Sequence, residues 1–454
     1  MYGSALPVAR ASALLLLLLA TSAPRSIARV VHAHPRDTAT AGDDVLISPR
    51  ITALKKELDA GNKSALASFW EHITAQGTPM VERIQGEERY LLVTFLWRAA
   101  GETRNVAVIS GLFDMEPAKG VMERLPDTDL WFKSYRVRSD ARFTYWISPN
   151  DSLAPLTNVT SDEDYLARAI TWQKDPFNKK QFFGSPSVCS VVELPGAPPQ
   201  PWISRVAGRP SGESKLVRLK SAILNNERNV WVYTPPGYNA AAKPYGLIVI
   251  FDGMAYALLV PTPVILDNML AEGAIPPLVA VILGNPTADS RNSEMPCNTA
   301  FADFLAKEVV PWARRNYNVT SDAAQTIVAG SSYGGLAAGF AGFKHSEVFG
   351  NVLSQSGSYW WKPDGDAEHE SFARQIATSP KLPVRFYLGV GLLESGPTPG
   401  DGPSMVIANR HLRDVLIAKG YFVHYCEFNG GHEYLNWRGT FSDGLIALIG
   451  KRAR

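Results

Sequence analysis

Along the first third of the chain, apolar residues come in short runs broken by Gly, Asp and Pro. Residues 90–97, 105–110, 130–137 and 143–147 each read as a strand bounded by turn-forming clusters. Short strands at that spacing predict an antiparallel, immunoglobulin-like β-sandwich over residues 50–180. Ahead of the strands, Leu54, Leu58, Leu66, Phe69 and Trp70 fall at helical spacing, with a break at Gly61-Asn62. Residues 162–172 read as a further helix. Residues 181–213, centred on Pro195-Gly196-Ala197-Pro198-Pro199-Gln200-Pro201, read as a linker.

After the linker the pattern changes. Residues 217–223 and 228–233 form an antiparallel pair around Asn225-Asn226, and residues 247–251 and 278–283 are uninterrupted apolar strands. Helical segments at 263–272 and 301–317 intervene, and later strands fall at 351–354, 384–388 and 422–426. Strands of this kind alternating with helices predict an α/β unit over residues 214–454, with a mostly parallel sheet covered on both faces.

Within that unit, Thr326-Ile327-Val328-Ala329-Gly330-Ser331-Ser332-Tyr333-Gly334-Gly335 carries G-x-S-x-G between a strand and a helix. That context predicts a nucleophile elbow. The turn strains its central residue, asks for small neighbours two positions to either side, and lifts Ser332 Oγ above the sheet beside the Tyr333 N–H. An elbow requires an acid and then a histidine further along the chain. His432, flanked by Gly430-Gly431 directly after the last strand, is the expected base; His72, His345, His369, His411 and His424 lack that placement. Glu394, after strand 384–388, is the expected acid, with Asp401 in the Gly/Pro-rich loop beyond it as the alternative. The second oxyanion donor is expected at the backbone N–H of Gly253 or Met254, paired with Tyr333. Arg291 and Glu294 fall on the same carboxyl edge, as substrate contacts or as an ion pair shaping the loop. Tyr359-Trp360-Trp361 would either stack on a flat aromatic ligand or pack in the core.

Composition narrows the class. With 454 residues, 46% hydrophobic and 19% charged, the chain is globular and long enough for two or three domains. A net charge of +2 gives no reason to expect nucleic acid or an anionic membrane as partner. Arg10, the apolar run 11–20 and small-residue exits at Ala23 and Ala33 read as a secretory signal peptide over residues 1–33. Export follows, with no membrane attachment once the leader is removed. Cys189, Cys297 and Cys426 cannot all pair within one chain, and their spacing favours no pair. Paired-Cys zinc spacings, H-E-x-x-H and Walker A are missing from the sequence, so neither a metal nor a nucleotide cofactor is expected.

Several stretches together resemble the enterochelin (ferric enterobactin) esterase family, relatives of esterase D among the α/β-hydrolases. They are residues 330–335 with 349–361, Arg291-Asn292-Ser293-Glu294-Met295-Pro296-Cys297-Asn298, and Gly430-Gly431-His432-Glu433 with Trp437-Arg438-Gly439. In the front half, Phe69-Trp70, Gly77-Thr78-Pro79, residues 93–98 and Asp175-Pro176-Phe177-Asn178 look like that family's N-terminal domain. The resemblance implies hydrolysis of the serine trilactone of a catecholate siderophore, with iron entering only as part of the substrate. Carried over, Ser332 is the nucleophile, His432 the base and Glu394 the acid. Arg291 and Arg438 would balance the charge of a ferric complex, and Trp360 or Trp361 would meet its rings. The leader sets this chain apart from cytoplasmic two-domain members and implies a periplasmic hydrolase. A longer loop over residues 395–404 weakens the Glu394 assignment, and Glu433 stands where the family has Asp.

Two other readings compete. One is a feruloyl or acetyl esterase with the first unit as a carbohydrate-binding module. The other is a siderophore-binding protein on an inactive hydrolase scaffold, against which Ser332 and His432 both speak.

Overall fold

Eight strands make the sheet that carries the site. They are β9 (Glu213–Ser221), β10 (Asn226–Thr234), β11 (Gly246–Ile250), β12 (Leu278–Leu283), β13 (Thr326–Ser331), β14 (Asn351–Gln355), β15 (Arg385–Gly391) and β16 (Phe422–Phe428). In the computed structural model, which describes residues 47–156, 162–184 and 187–450, their order is β16-β15-β14-β13-β11-β12-β10-β9. β11 to β16 run parallel, and β10 joins antiparallel to β12 and β9. The continuous apolar strands are explained by burial on both faces. Leu247, Val249 and Phe251 enter one core with Phe304, Leu336 and Leu412, while Ile248 and Ile250 enter the other with Ile265, Phe441 and Leu445. Period-two alternation is therefore present along β11, but both sets of side chains are apolar.

The first unit has two antiparallel four-stranded sheets. One orders β1 (Met80–Ile84), β2 (Glu87–Arg98), β5 (Leu130–Arg138) and β4 (Glu123–Arg124) as β1-β2-β5-β4. The other orders β3 (Val106–Ile109), β6 (Arg142–Pro149), β8 (Val188–Glu193) and β7 (Gln181–Phe183) as β3-β6-β8-β7. Val93 and Phe95 of the first sheet share a core with Val108, Phe143 and Tyr145 of the second. Helices α1 (Pro49–Asp59) and α2 (Ala65–Gln76) cover Leu96, Leu130 and Phe132. Gly61, at φ 86°, lies between the two helices, where the sequence breaks the helical pattern.

One boundary needs correction. β7 and β8 lie inside the stretch expected to be linker, 181–213, yet both pair into the second sheet. Their runs are short and stand directly before the Pro-rich segment, which hides them in the sequence. The leader expected over residues 1–33 lies outside the described residues. Among the described residues no helix is long and apolar enough to cross a membrane, and Cys189, Cys297 and Cys426 are free thiols.

Candidate active site

Ser332 stands between β13 and α9 (Tyr333–Lys344) with φ 58° and ψ −126°, a conformation L-residues rarely take. Holding it costs on the order of 1–3 kcal/mol, which the surrounding structure must supply. β13 is buried along its whole length, and the Ser332 N–H donates to Gln355 O at 3.0 Å. The glycines around the turn are not equivalent. A Cβ on Gly330 would lie 2.6 Å from the Gly334 backbone, and one on Gly335 2.7 Å from Ser354 Oγ, whereas one on Gly334 would make ordinary contacts. Close approach thus demands Gly330 and Gly335.

The acid and the histidine stand on the next strand ends. Glu394 follows β15, and His432 sits between β16 and α12 (Tyr434–Ile449). His432 Nδ1 lies 2.6 Å from Glu394 Oε2. The other oxygen of Glu394 accepts from Ser356 Oγ at 2.6 Å and from the Gly391 N–H at 2.8 Å. Glu394 is 9% exposed, while Asp401 stands in solvent. Of the two acids the sequence offered, the fold brings Glu394 to His432.

The loop after β14 bridges Ser332 and Glu394. Gln355 and Ser358 bond the Ser332 backbone, Ser358 Oγ lies 3.5 Å from Ser332 Oγ, and Ser356 holds Glu394 while accepting from Trp437 Nε1 at 3.0 Å. The Trp437 ring meets His432 edge-on, 4.8 Å between centroids. A hydrogen bond between Ser332 and His432 is not formed; such bonds often tighten only around substrate. Tyr333 opens α9 and Gly253 opens α4 (Gly253–Leu258), so their N–H groups have no acceptor within their helices. The two turns are neighbours because β11 and β13 pair, with the Phe251 N–H donating to Ala329 O at 3.2 Å. Met254, the next residue of α4, is 66% exposed.

Other expected contacts stand elsewhere. Arg291 and Glu294 do not pair with each other. Arg291 grips Asp252 through two bonds of 2.6 and 2.9 Å, so its charge is already offset beside the elbow. Glu294 turns inward, accepting from Asn226 Nδ2 at 2.7 Å and from the buried Arg228 at 2.9 Å, and it shapes the fold rather than meeting ligand. Trp360 is packed into the core and Trp361 is half-buried against it, because the β14 loop folds back over α9. Arg438 donates to Gln200 Oε1 at 2.7 Å and lies over Phe182, facing the linker and first unit instead of the reacting groups. The sequence reading gave no role to Asp252, Ser356, Ser358 or Glu433. Ser356 and Ser358 sit in a serine-rich string after a predicted strand, which was their one visible signal.

Known proteins match both halves of the chain. The family described as "Putative esterase" matches residues 221–448, and "Enterochelin esterase, N-terminal" matches residues 92–203. The iron(III) enterobactin esterase of Dickeya dadantii is 32% identical, covering 84% of this chain and 92% of that one. The enterobactin esterase of Shigella flexneri, solved in the presence of enterobactin, superposes with a TM-score of 0.68 at 28% identity, over 83% of this chain and 97% of that one. The ferric enterobactin esterase of Salmonella typhimurium gives 0.70 at 27% identity, over 84% and 98%. With an elbow serine, a histidine–glutamate pair on neighbouring strand ends and both halves matched, this chain belongs to the enterochelin esterase family of α/β-hydrolases.

Proposed function

We propose that this chain is a serine esterase that hydrolyses the trilactone backbone of a catecholate siderophore, freeing the iron it chelates. The observation that carries the reading is the strained Ser332 turn on the same sheet edge as the 2.6 Å His432–Glu394 pair. Ser332 Oγ attacks the ester carbonyl carbon as its proton passes to His432 Nε2. Glu394, accepting from Nδ1, fixes the tautomer and stabilises the imidazolium. The backbone N–H of Tyr333, with that of Gly253 or Met254, receives the oxyanion. Collapse expels the substrate's serine oxygen, which takes the proton from His432, and water repeats the sequence on the acyl-enzyme. Half-buried Tyr333 and Tyr434 flank the reacting groups and suit catechol rings, backed by core-packed Trp360 and Trp437 at 6.1 and 4.9 Å between ring centroids. The two antiparallel sheets of the first unit, which share one core, support reading it as a β-sandwich. The carbohydrate-esterase alternative is not favoured, since the first half matches the enterochelin esterase N-terminal family.

The test is direct. Incubation with apo and ferric enterobactin, followed by mass, should give linear trimer and its fragments, and Ser332→Ala should leave the ring intact. Full hydrolysis by Ser332→Ala would overturn the reading. We also infer that the leader over residues 1–33 sends the mature chain to the periplasm; a cytoplasmic product that keeps Met1 would overturn that.

A further inference from the structure

β3 ends at Ile109, opposite Trp146, and leaves the start of β6 without a paired strand on that edge, where Ser110 Oγ donates to Thr144 O at 2.8 Å. The loop that carries His432 takes the place. The Arg142 N–H donates to Asn429 O at 2.9 Å, and Asn436 Nδ2 donates to Arg142 O at 3.0 Å. Asn429 Nδ2 reaches Asp140 Oδ1 at 2.9 Å. The Thr144 N–H is shared by both oxygens of Glu433, at 2.9 and 3.1 Å. The glycines before His432 fit the same seam. A Cβ on Gly430 would lie 2.6 Å from Arg142 O, and one on Gly431 3.0 Å from Glu433 Oε1. Gly111 of the first unit stands against Gly431 and Leu393, so both loops of the His432–Glu394 pair are touched from that side. Burial in the seam, beside Glu394, pushes the Glu433 carboxyl up to about 7.

We propose that the first unit belongs to the catalytic apparatus, and that Glu433, held by the Thr144 N–H, is a positioning residue that presents His432 to Glu394 and Ser332. The inference rests on the esterase reading above. It differs from a domain that merely covers a cleft, because it reaches any ester, including one too small to touch the first unit. Glu433 does not meet the substrate. It fixes the loop one residue from the base, where a small displacement is felt in full at Nε2.

The experiment uses the full chain with p-nitrophenyl butyrate, and four variants. Glu433→Met keeps the length and loses the acceptor, while Glu433→Gln keeps an acceptor oxygen. Asp140→Ala cuts the neighbouring tether from the other side, and Ser332→Ala reports on the nucleophile. Glu433→Met should lower kcat roughly ten- to a hundredfold with KM within about twofold, the scale of an angstrom-sized misplacement. Labelling of Ser332 by a fluorophosphonate should slow in parallel, measured below the melting temperature of each variant. Glu433→Gln should restore most of kcat. Asp140→Ala should move the same way by less, and it carries the test if Glu433→Met does not fold. Wild-type kcat in both Glu433→Met and Asp140→Ala, with Ser332→Ala inactive, overturns the positioning role and spares the serine mechanism. A Gln variant as impaired as Met also overturns it. Activity in Ser332→Ala instead overturns the reading beneath it.

Discussion

Ser332 and His432 share a sheet edge but are held there by different means. Ser332 is fixed from within the α/β unit, by a strand buried on both faces, close-packed glycines and a bond to the adjacent strand end. His432 hangs in a loop whose neighbours Asn429, Glu433 and Asn436 bond to residues 140–144 of the other unit. On the proposed roles, the nucleophile is placed by local sequence and the base by docking. Strain can therefore be stored at Ser332 without help from the first unit, whereas the alignment of His432 depends on it.

The sharpest way to test that contrast is to remove the reacting groups. Ser332→Ala and His432→Ala should each lower kcat by about 10⁴-fold or more, and the double variant should be no worse, because the pair acts as one unit. Siderophore binding should persist, and hydrolysis kinetics with a binding titration would check both. Next comes the acid. Glu394→Gln should cost roughly 10³-fold through the wrong histidine tautomer, less than loss of either partner. Asp401→Asn should stay near wild type, and the reverse result would move the acid to Asp401.

A chain beginning at Ser214 breaks the comparison itself. On the elbow's logic alone it should cleave p-nitrophenyl butyrate normally. With the seam removed, kcat on that small ester should fall roughly ten- to a hundredfold, and kcat/KM on the siderophore further. Undiminished butyrate turnover would show that the His432 loop holds its own shape.

The smallest effect is on stability. Glu433 ordinarily titrates near 4.5 and burial raises it to about 7, so the fold prefers the protonated acid. That contribution is complete below about pH 4.5 and is lost as pH rises to about 7. Asp443, raised to about 6 by burial, acts in the same direction, so the variant must be read against wild type. The melting-temperature gap in favour of Glu433→Gln should widen between pH 4.5 and 7 and then level off. A gap that ignores pH would place the carboxyl outside the desolvated seam.

How much of this was legible depended on distance along the chain. The elbow was readable from ten residues, because strand, Gly and helix signals coincide there. Glu394 and His432 were readable by their places after β15 and β16. Helix α12 was missed, although Trp437, Phe441, Leu445 and Leu448 recur at helical spacing and all enter the core. Arg291 and Glu294 misled because they are three residues apart on one short helix, and a local pair is the natural guess. Their partners, Asp252 in the turn after β11 and Arg228 on β10, come from distant parts of the chain, and sequence spacing carries no trace of them. Arg438 misled in a similar way, since one turn of α12 decides whether it faces the reacting groups or the linker.

The open edge of β6 also sets an order of assembly. Residues 140–144 leave the ribosome long before their partners, which lie 287 (429 − 142) to 294 positions later. Units near the N-terminus fold first, and contacts that close so large a loop form late. The proposed base therefore waits on a stretch of chain made long after the strand that receives it. A chain that stopped at the end of β16 would carry a finished elbow, no base and an unpaired strand edge, the kind of edge that pairs with a second molecule.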